Sequence, residues 1–153
     1  MTRKKTSPIF TKFWGSSHCA PHHGLPENLH HIFKSQHRFA PPQFDAKSGR
    51  CISQNIVSKI INEISFHHSN NNRQLHFIIL GSNNLSQDHD LHYIEGLFES
   101  ILQHSQQLKG IHIVLAGIMP RFEPGVNNSF KAKFAEMNDL IRNLTIKYRV
   151  NGG

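Results

Sequence analysis

Three short stretches of this sequence hold the residue types that acyl transfer needs: Gly15-Ser16-Ser17-His18, Ser48-Gly49-Arg50 and Gly81-Ser82-Asn83-Asn84. A serine at a strand-to-helix turn can project its hydroxyl toward a carbonyl carbon while backbone N–H groups at the helix start face the same point. A glycine lets the backbone approach an oxyanion closely. An asparagine amide adds a neutral donor to the same oxygen. These groups matter only if the chain brings them together.

The elements around them follow from apolar spacing and punctuation. Ile9 to Trp14 predicts a short aromatic strand ending at Gly15. Leu25, Leu29, Ile32 and Phe33 lie on one face of a helix over Pro26 to Phe33, with proline tolerated in its first turn. Pro41-Pro42 forbids helix and marks a loop or a strand end. Ile52, Ile56, Ile60, Ile61 and Ile64 trace an amphipathic helix that gives out near the polar run at 67 to 73. Leu75 to Leu80 predicts a buried strand, and the amide-rich stretch after it a loop. Leu91, Ile94, Leu97, Phe98, Ile101, Leu102 and Leu108 trace the next helix, closed by Gly110.

Ile111 to Ile118 predicts a second strongly buried strand. Phe130, Phe134, Met137, Ile141 and Leu144 mark the last helix. Thr145 to Val150 alternates like the start of one more strand. Strand and helix in alternation imply a parallel sheet covered on both faces. Ligands of such sheets bind beyond the carboxyl ends of the strands. The turns after Trp14, Leu80 and Ile118 are therefore expected along one rim.

On these residues the chain resembles the GDSL-like, or SGNH, hydrolases, which are serine esterases and acylhydrolases. The family's Gly-Asp-Ser block is similar to Gly15-Ser16-Ser17, which implies Ser17 as nucleophile. Its second-block glycine falls on Gly49. Its Gly-x-Asn-Asp block resembles Gly81-Ser82-Asn83-Asn84, implying Gly49 and Asn83 as oxyanion-hole donors, with Gly15, Gly81 and Asn84 supporting the loops. The stretch IHIVLAGIMPR resembles the family's fourth strand and its Pro-Arg exit.

The implied fold is an α/β three-layer α/β/α sandwich with a parallel, flavodoxin-like sheet, C-terminally truncated. It would occupy residues 8–150, between a basic tail at 1–7 and a short tail at 151–153. Ser16 and Asn84 stand where the family carries aspartates. The family's closing Asp-x-x-His block finds no counterpart before Gly153. Loss of the histidine from a serine triad lowers turnover by roughly six orders of magnitude, so the resemblance implies a weak or inactive esterase acting on a small carboxylic ester without a cofactor.

Composition bounds the alternatives. At 153 residues the chain makes one domain, and its eleven Phe argue against disorder. The formal net charge of +7 is concentrated in residues 1–50, where eight Lys and Arg face only Glu27 and Asp45. Arg3, Lys4 and Lys5 form its sharpest piece: a phosphate-contacting arm, a nuclear address or a solvated terminus.

Aromatic residues interleave with these cations, so the alternative function is a non-catalytic module contacting nucleic acid. The resemblance allows a mobile-element or nuclear setting, since SGNH-like domains occur in some transposable elements. Core packing is the competing account of Phe13, Trp14 and Phe33. No membrane-length apolar run occurs, and Cys19 and Cys51 lack the spacing of a disulfide framework or a zinc knuckle, so the chain reads as soluble and intracellular. The thirteen histidines show no metal-binding spacing, although His89 and His92 could share a helix face. No metal is expected. Asp88-His89-Asp90 reads as a polar helix N-terminus.

Overall fold

A computed structural model describes residues 7–16, 29, 31–33, 36–118 and 128–149. Four strands, β1 (Phe10–Gly15), β2 (Gln43–Ala46), β3 (Gln74–Ile79) and β4 (Ile111–Leu115), form one sheet in the order β2-β1-β3-β4. Every neighbouring pair is parallel. The helices are α1 (Gln54–Ser69), the short α2 (Ser82–Ser86), α3 (Leu91–Gln106) and α4 (Asn128–Arg149). Because all strands run the same way, their carboxyl ends share a rim, as the alternation of elements predicts.

Side chains alternate across a strand, and β1 uses both faces. Phe10, Lys12 and Trp14 point toward α1. There Trp14 joins Val57, Ile60 and Ile64 of α1, Ile94, Leu97, Phe98 and Ile101 of α3, and Met137, Ile141 and Leu144 of α4 in one buried cluster. Burying each such side chain is worth about 1.5–3 kcal/mol. Phe13 points to the opposite face. The parallel register sets Phe44, Phe13 and Phe77 side by side, with ring centroids 5.0 and 4.4 Å apart. Phe33, among the helical residues 29 and 31–33, meets Phe13 edge-on from that side. The aromatic residues of the first third of the chain thus pack against one another and against helices. No described helix is long and apolar enough to cross a membrane.

Four expectations are corrected. The strand β2 follows directly on Pro41-Pro42 and was not predicted. It occupies the sheet edge, where a preceding proline is tolerated. β4 is not strongly buried: Ile111, Ile113 and Leu115 face the helices, whereas His112 and Val114 are exposed, the latter by 40%. Its position at the other edge explains this. Thr145 to Arg149 continue α4 rather than start a strand. Leu144 extends the buried helical face, Thr145 Oγ1 donates to Ile141 O one turn back at 2.9 Å, and Ile146, whose alternation suggested a strand, is exposed. Finally, Ser82 to Ser86 form a helical turn instead of a loop.

Candidate active site

The rim begins where β1 ends. Gly15 O accepts from Lys47 N at 3.3 Å, and Arg50 N donates to Lys47 O at 3.2 Å, closing the turn that follows β2. Gly49 holds the left-handed conformation this turn needs, with φ +74°. The Arg50 guanidinium reaches back: Nη1 donates to Asp45 O at 2.9 Å and to Asp45 Oδ1 at 2.7 Å. Lys59 of α1 pairs with the other carboxylate oxygen at 2.7 Å. Burial pushes the Asp45 carboxyl up, but the hydrogen bonds and charges of Lys59 and Arg50 outweigh it and leave the group below its ordinary pKa.

The second part of the rim follows β3. Gly81 precedes α2 with φ +123°, and a Cβ placed there would lie 2.7 Å from Met137 Cε. The single turn of α2 directs Asn83 and Asn84 inward, both buried. Asn83 Nδ2 donates to Arg50 O at 3.0 Å. Asn84 Oδ1 accepts from Ile52 N at 2.8 Å, while its Nδ2 donates to Ile52 O at 2.9 Å and meets His89 Nδ1 at 3.0 Å. The Ile52 N–H fixes which end of the amide is oxygen. His89 Nδ1 is therefore an acceptor, and the neutral ring carries its proton on Nε2.

A third asparagine, Asn138 of α4, makes the same pair of bonds to the backbone beyond β4, accepting from Ile118 N at 2.8 Å and donating to Ile118 O at 3.2 Å.

No family model and no curated protein sequence matches this chain. Solved structures do. AlinE4, an SGNH-hydrolase family esterase, superposes with a TM-score of 0.64 at 18% identity, covering 95% of this chain and 75% of that one. TesA superposes at 0.66 with 12% identity, over 91% and 74% of the two chains. A member of the lipolytic G-D-S-L family from Veillonella parvula gives 0.59 at 11% identity, over 92% and 74%. The fold is that of the SGNH-hydrolase esterases.

Within this SGNH-type fold, the turn at Gly49 and the helix carrying Asn83 and Asn84 meet directly, and Gly15 is bonded to the same turn. Gly81 lies behind Asn83, against Ile118 and Met137. Ser16, 4% exposed, is the last described residue after β1. Ser17 lies outside the described residues, as do Arg3, Lys4, Lys5 and the Met119-Pro120-Arg121 exit.

His89 precedes α3 and bonds to Asn84, so it does not share a helical face with His92. Asp90 caps α3, accepting from His92 N at 3.3 Å, and Asp88 pairs with Lys133, as a polar helix N-terminus should. Among the described residues no three His, Cys, Asp or Glu cluster to hold a metal. The sequence reading missed the Asp45–Arg50 clamp and the part played by His89. Only the adjacency of Arg50 to Gly49 hinted at the first.

Proposed function

We propose that this rim is the oxyanion-binding side of an SGNH-type serine ester hydrolase, with Ser17 as nucleophile and a small carboxylic ester as substrate. The observation that carries the reading is the 3.0 Å bond from Asn83 Nδ2 to Arg50 O. It ties the side chain proposed as a neutral oxyanion donor to the residue next to Gly49, the proposed backbone donor. Ser17 follows Ser16 at the end of the neighbouring strand β1, whose last residue bonds to the same turn.

In the proposed step, Ser17 Oγ bonds to the ester carbonyl carbon as its proton passes to a base. The carbonyl oxygen takes the negative charge, and the N–H groups of Ser17 and Gly49 and the Asn83 amide stabilise it. The alcohol leaves with a proton, and water then releases the acid from the acyl-serine.

The proposed step also needs a base. Among the described residues no imidazole paired with a carboxylate stands at this rim: His89 faces Asn84, and His76 is enclosed between sheet and helices. Slow turnover is part of this reading. A fluorophosphonate probe and p-nitrophenyl acetate test the reading. Labelling confined to Ser17, abolished in Ser17→Ala and reduced about 100-fold or more in Asn83→Ala, is the expected result. An unlabelled parent, or a Ser17→Ala variant with the same hydrolysis rate, retires it.

A further inference from the structure

The main-chain bonds that shape the Gly49 turn are long, 3.2 Å from Arg50 N to Lys47 O and 3.3 Å from Lys47 N to Gly15 O. The side-chain bonds across it are shorter and charge-assisted. Arg50 spans from its own backbone to Asp45 at the end of β2, touching both the carbonyl and the carboxylate through Nη1 at 2.9 and 2.7 Å. Both side chains are largely shielded, 13% and 17% exposed, so solvent competes weakly for this contact. Charge-assisted bonds of this length are about twice as strong as neutral ones. The clamp thus bears most of the definition of a turn whose next carbonyl receives Asn83.

We propose that Asp45 is a positioning residue for the oxyanion side of the rim, acting through Arg50. By holding the guanidinium at the end of β2, it sets the backbone at Gly49 and Arg50. That backbone sets both the proposed Gly49 donor and the carbonyl that orients the Asn83 amide. The inference rests on the esterase reading for its effect on turnover, but its geometric part is measurable without activity. Lys59 provides the contrast. It pairs with the same carboxylate from α1 but is 55% exposed and makes no bond to the turn.

The test compares Asp45→Asn, Arg50→Gln and Lys59→Ala with the parent, all checked for folding. NMR follows the Asn83 side-chain amide and the Gly49 N–H, by chemical shift and hydrogen exchange. Asp45→Asn and Arg50→Gln are expected to move both signals and speed their exchange, while Lys59→Ala leaves them in place. Arg50→Lys, which keeps the charge and a single contact, should fall between and also serves if Asp45→Asn does not fold. Probe labelling of Ser17 should slow about 10- to 100-fold in Asp45→Asn, with substrate KM unchanged. Unmoved Asn83 and Gly49 signals in folded Asp45→Asn and Arg50→Gln overturn the proposal. A response equal to that of Lys59→Ala overturns it too. A parent that never labels but whose Asn83 signal responds to Asp45→Asn retires the esterase reading and leaves the clamp standing.

Discussion

The indole Nε1–H of Trp14 donates to Nδ1 of His76 across 3.0 Å, between neighbouring strands in the buried interior. That bond leaves the imidazole proton on Nε2, which faces Gln74 Oε1 at 2.8 Å, and Gln74 Nε2 donates in turn to Ile64 O of α1 at 2.9 Å. Each member of this chain is both enclosed and satisfied. Such networks stabilise only while every bond is made.

Acid should break it. Burial, helped by the charges of His67 and Lys12, lowers the pKa of His76 from 6.5 to about 3. A histidine depressed in the folded state stays neutral while the unfolded chain takes up a proton, so unfolding gains protons as pH falls. The stability His76 contributes is complete above 6.5 and is lost progressively between 6.5 and 3, to a total of roughly 5 kcal/mol. Urea unfolding at pH 7.5, 6 and 5 should show that slope, and His76→Gln should flatten it. Equal slopes in parent and variant would sink this account.

Lys12 and Glu63 form a second test of the same face. Lys12 Nζ lies 2.6 Å from both Glu63 oxygens and 4.3 Å from the centre of the Trp14 ring, with both side chains mostly covered. Removing one partner leaves a shielded charge. Glu63→Ala is expected to destabilise by about 3 kcal/mol, whereas Lys12→Met with Glu63→Leu should come within about 1 kcal/mol of the parent. Thermal melts of the two variants decide it, and a double variant no better than Glu63→Ala refutes it.

Asn84→Asp tests why an amide closes the stretch Gly81-Ser82-Asn83-Asn84. A carboxylate can still accept from Ile52 N, and His89 can carry its proton on Nδ1 and donate to it, but the carboxylate has no hydrogen for Ile52 O. One buried carbonyl loses its donor at a fully enclosed position, which should reduce stability by about 1–3 kcal/mol at neutral pH. Chemical denaturation measures the loss; a change below about 0.5 kcal/mol would mean that the network carries no weight.

Gly49 and Gly81 share a positive φ for different reasons. A Cβ at Gly49 meets nothing within 4 Å, so Gly49→Ala should lose only the left-handed penalty of about 1–2 kcal/mol. At Gly81 it would also press on Met137 Cε at 2.7 Å and Ile118 Cδ1 at 3.1 Å. Gly81→Ala should therefore be the more destabilising of the two. Combining it with Met137→Ala should give less than the sum of the single effects. Strict additivity would argue against the clash.

Several elements were legible because their signal is long or strongly apolar. Ile56, Ile60 and Ile64 mark α1 by spacing, and β3 by its run into Gly81. β2 was not, since Gln43-Phe44-Asp45-Ala46 is short and half polar and becomes a strand only by pairing with β1. The end of α4 misled because Thr145-Ile146-Lys147-Tyr148 alternates over too few residues to separate a strand from a helix edge. The exposure of Val114 depends on the place of β4 in the sheet, which no local pattern encodes.

At the rim, the order of Gly49 and Asn83 was readable by resemblance, and the structure brings their loops together. The bond that joins them uses a backbone carbonyl, Arg50 O, and backbone acceptors leave no mark on residue type. For the same reason Asn84 looked like a neutral stand-in for an aspartate, when its second hydrogen-bonding role is to donate.

Asn84 on Ile52 and Asn138 on Ile118 share one further consequence. Each primary amide presents an oxygen and a nitrogen to the N–H and C=O of a single isoleucine, imitating the C=O and N–H of one residue on a neighbouring strand. At Ile118, just past β4, a side chain from a helix thus supplies one more rung, and at Ile52 the same pair of bonds ties the stretch before α1 to α2. Neither charge nor volume describes what these positions require, so substitution matrices that rank aspartate as a close replacement should misjudge both sites in the same direction.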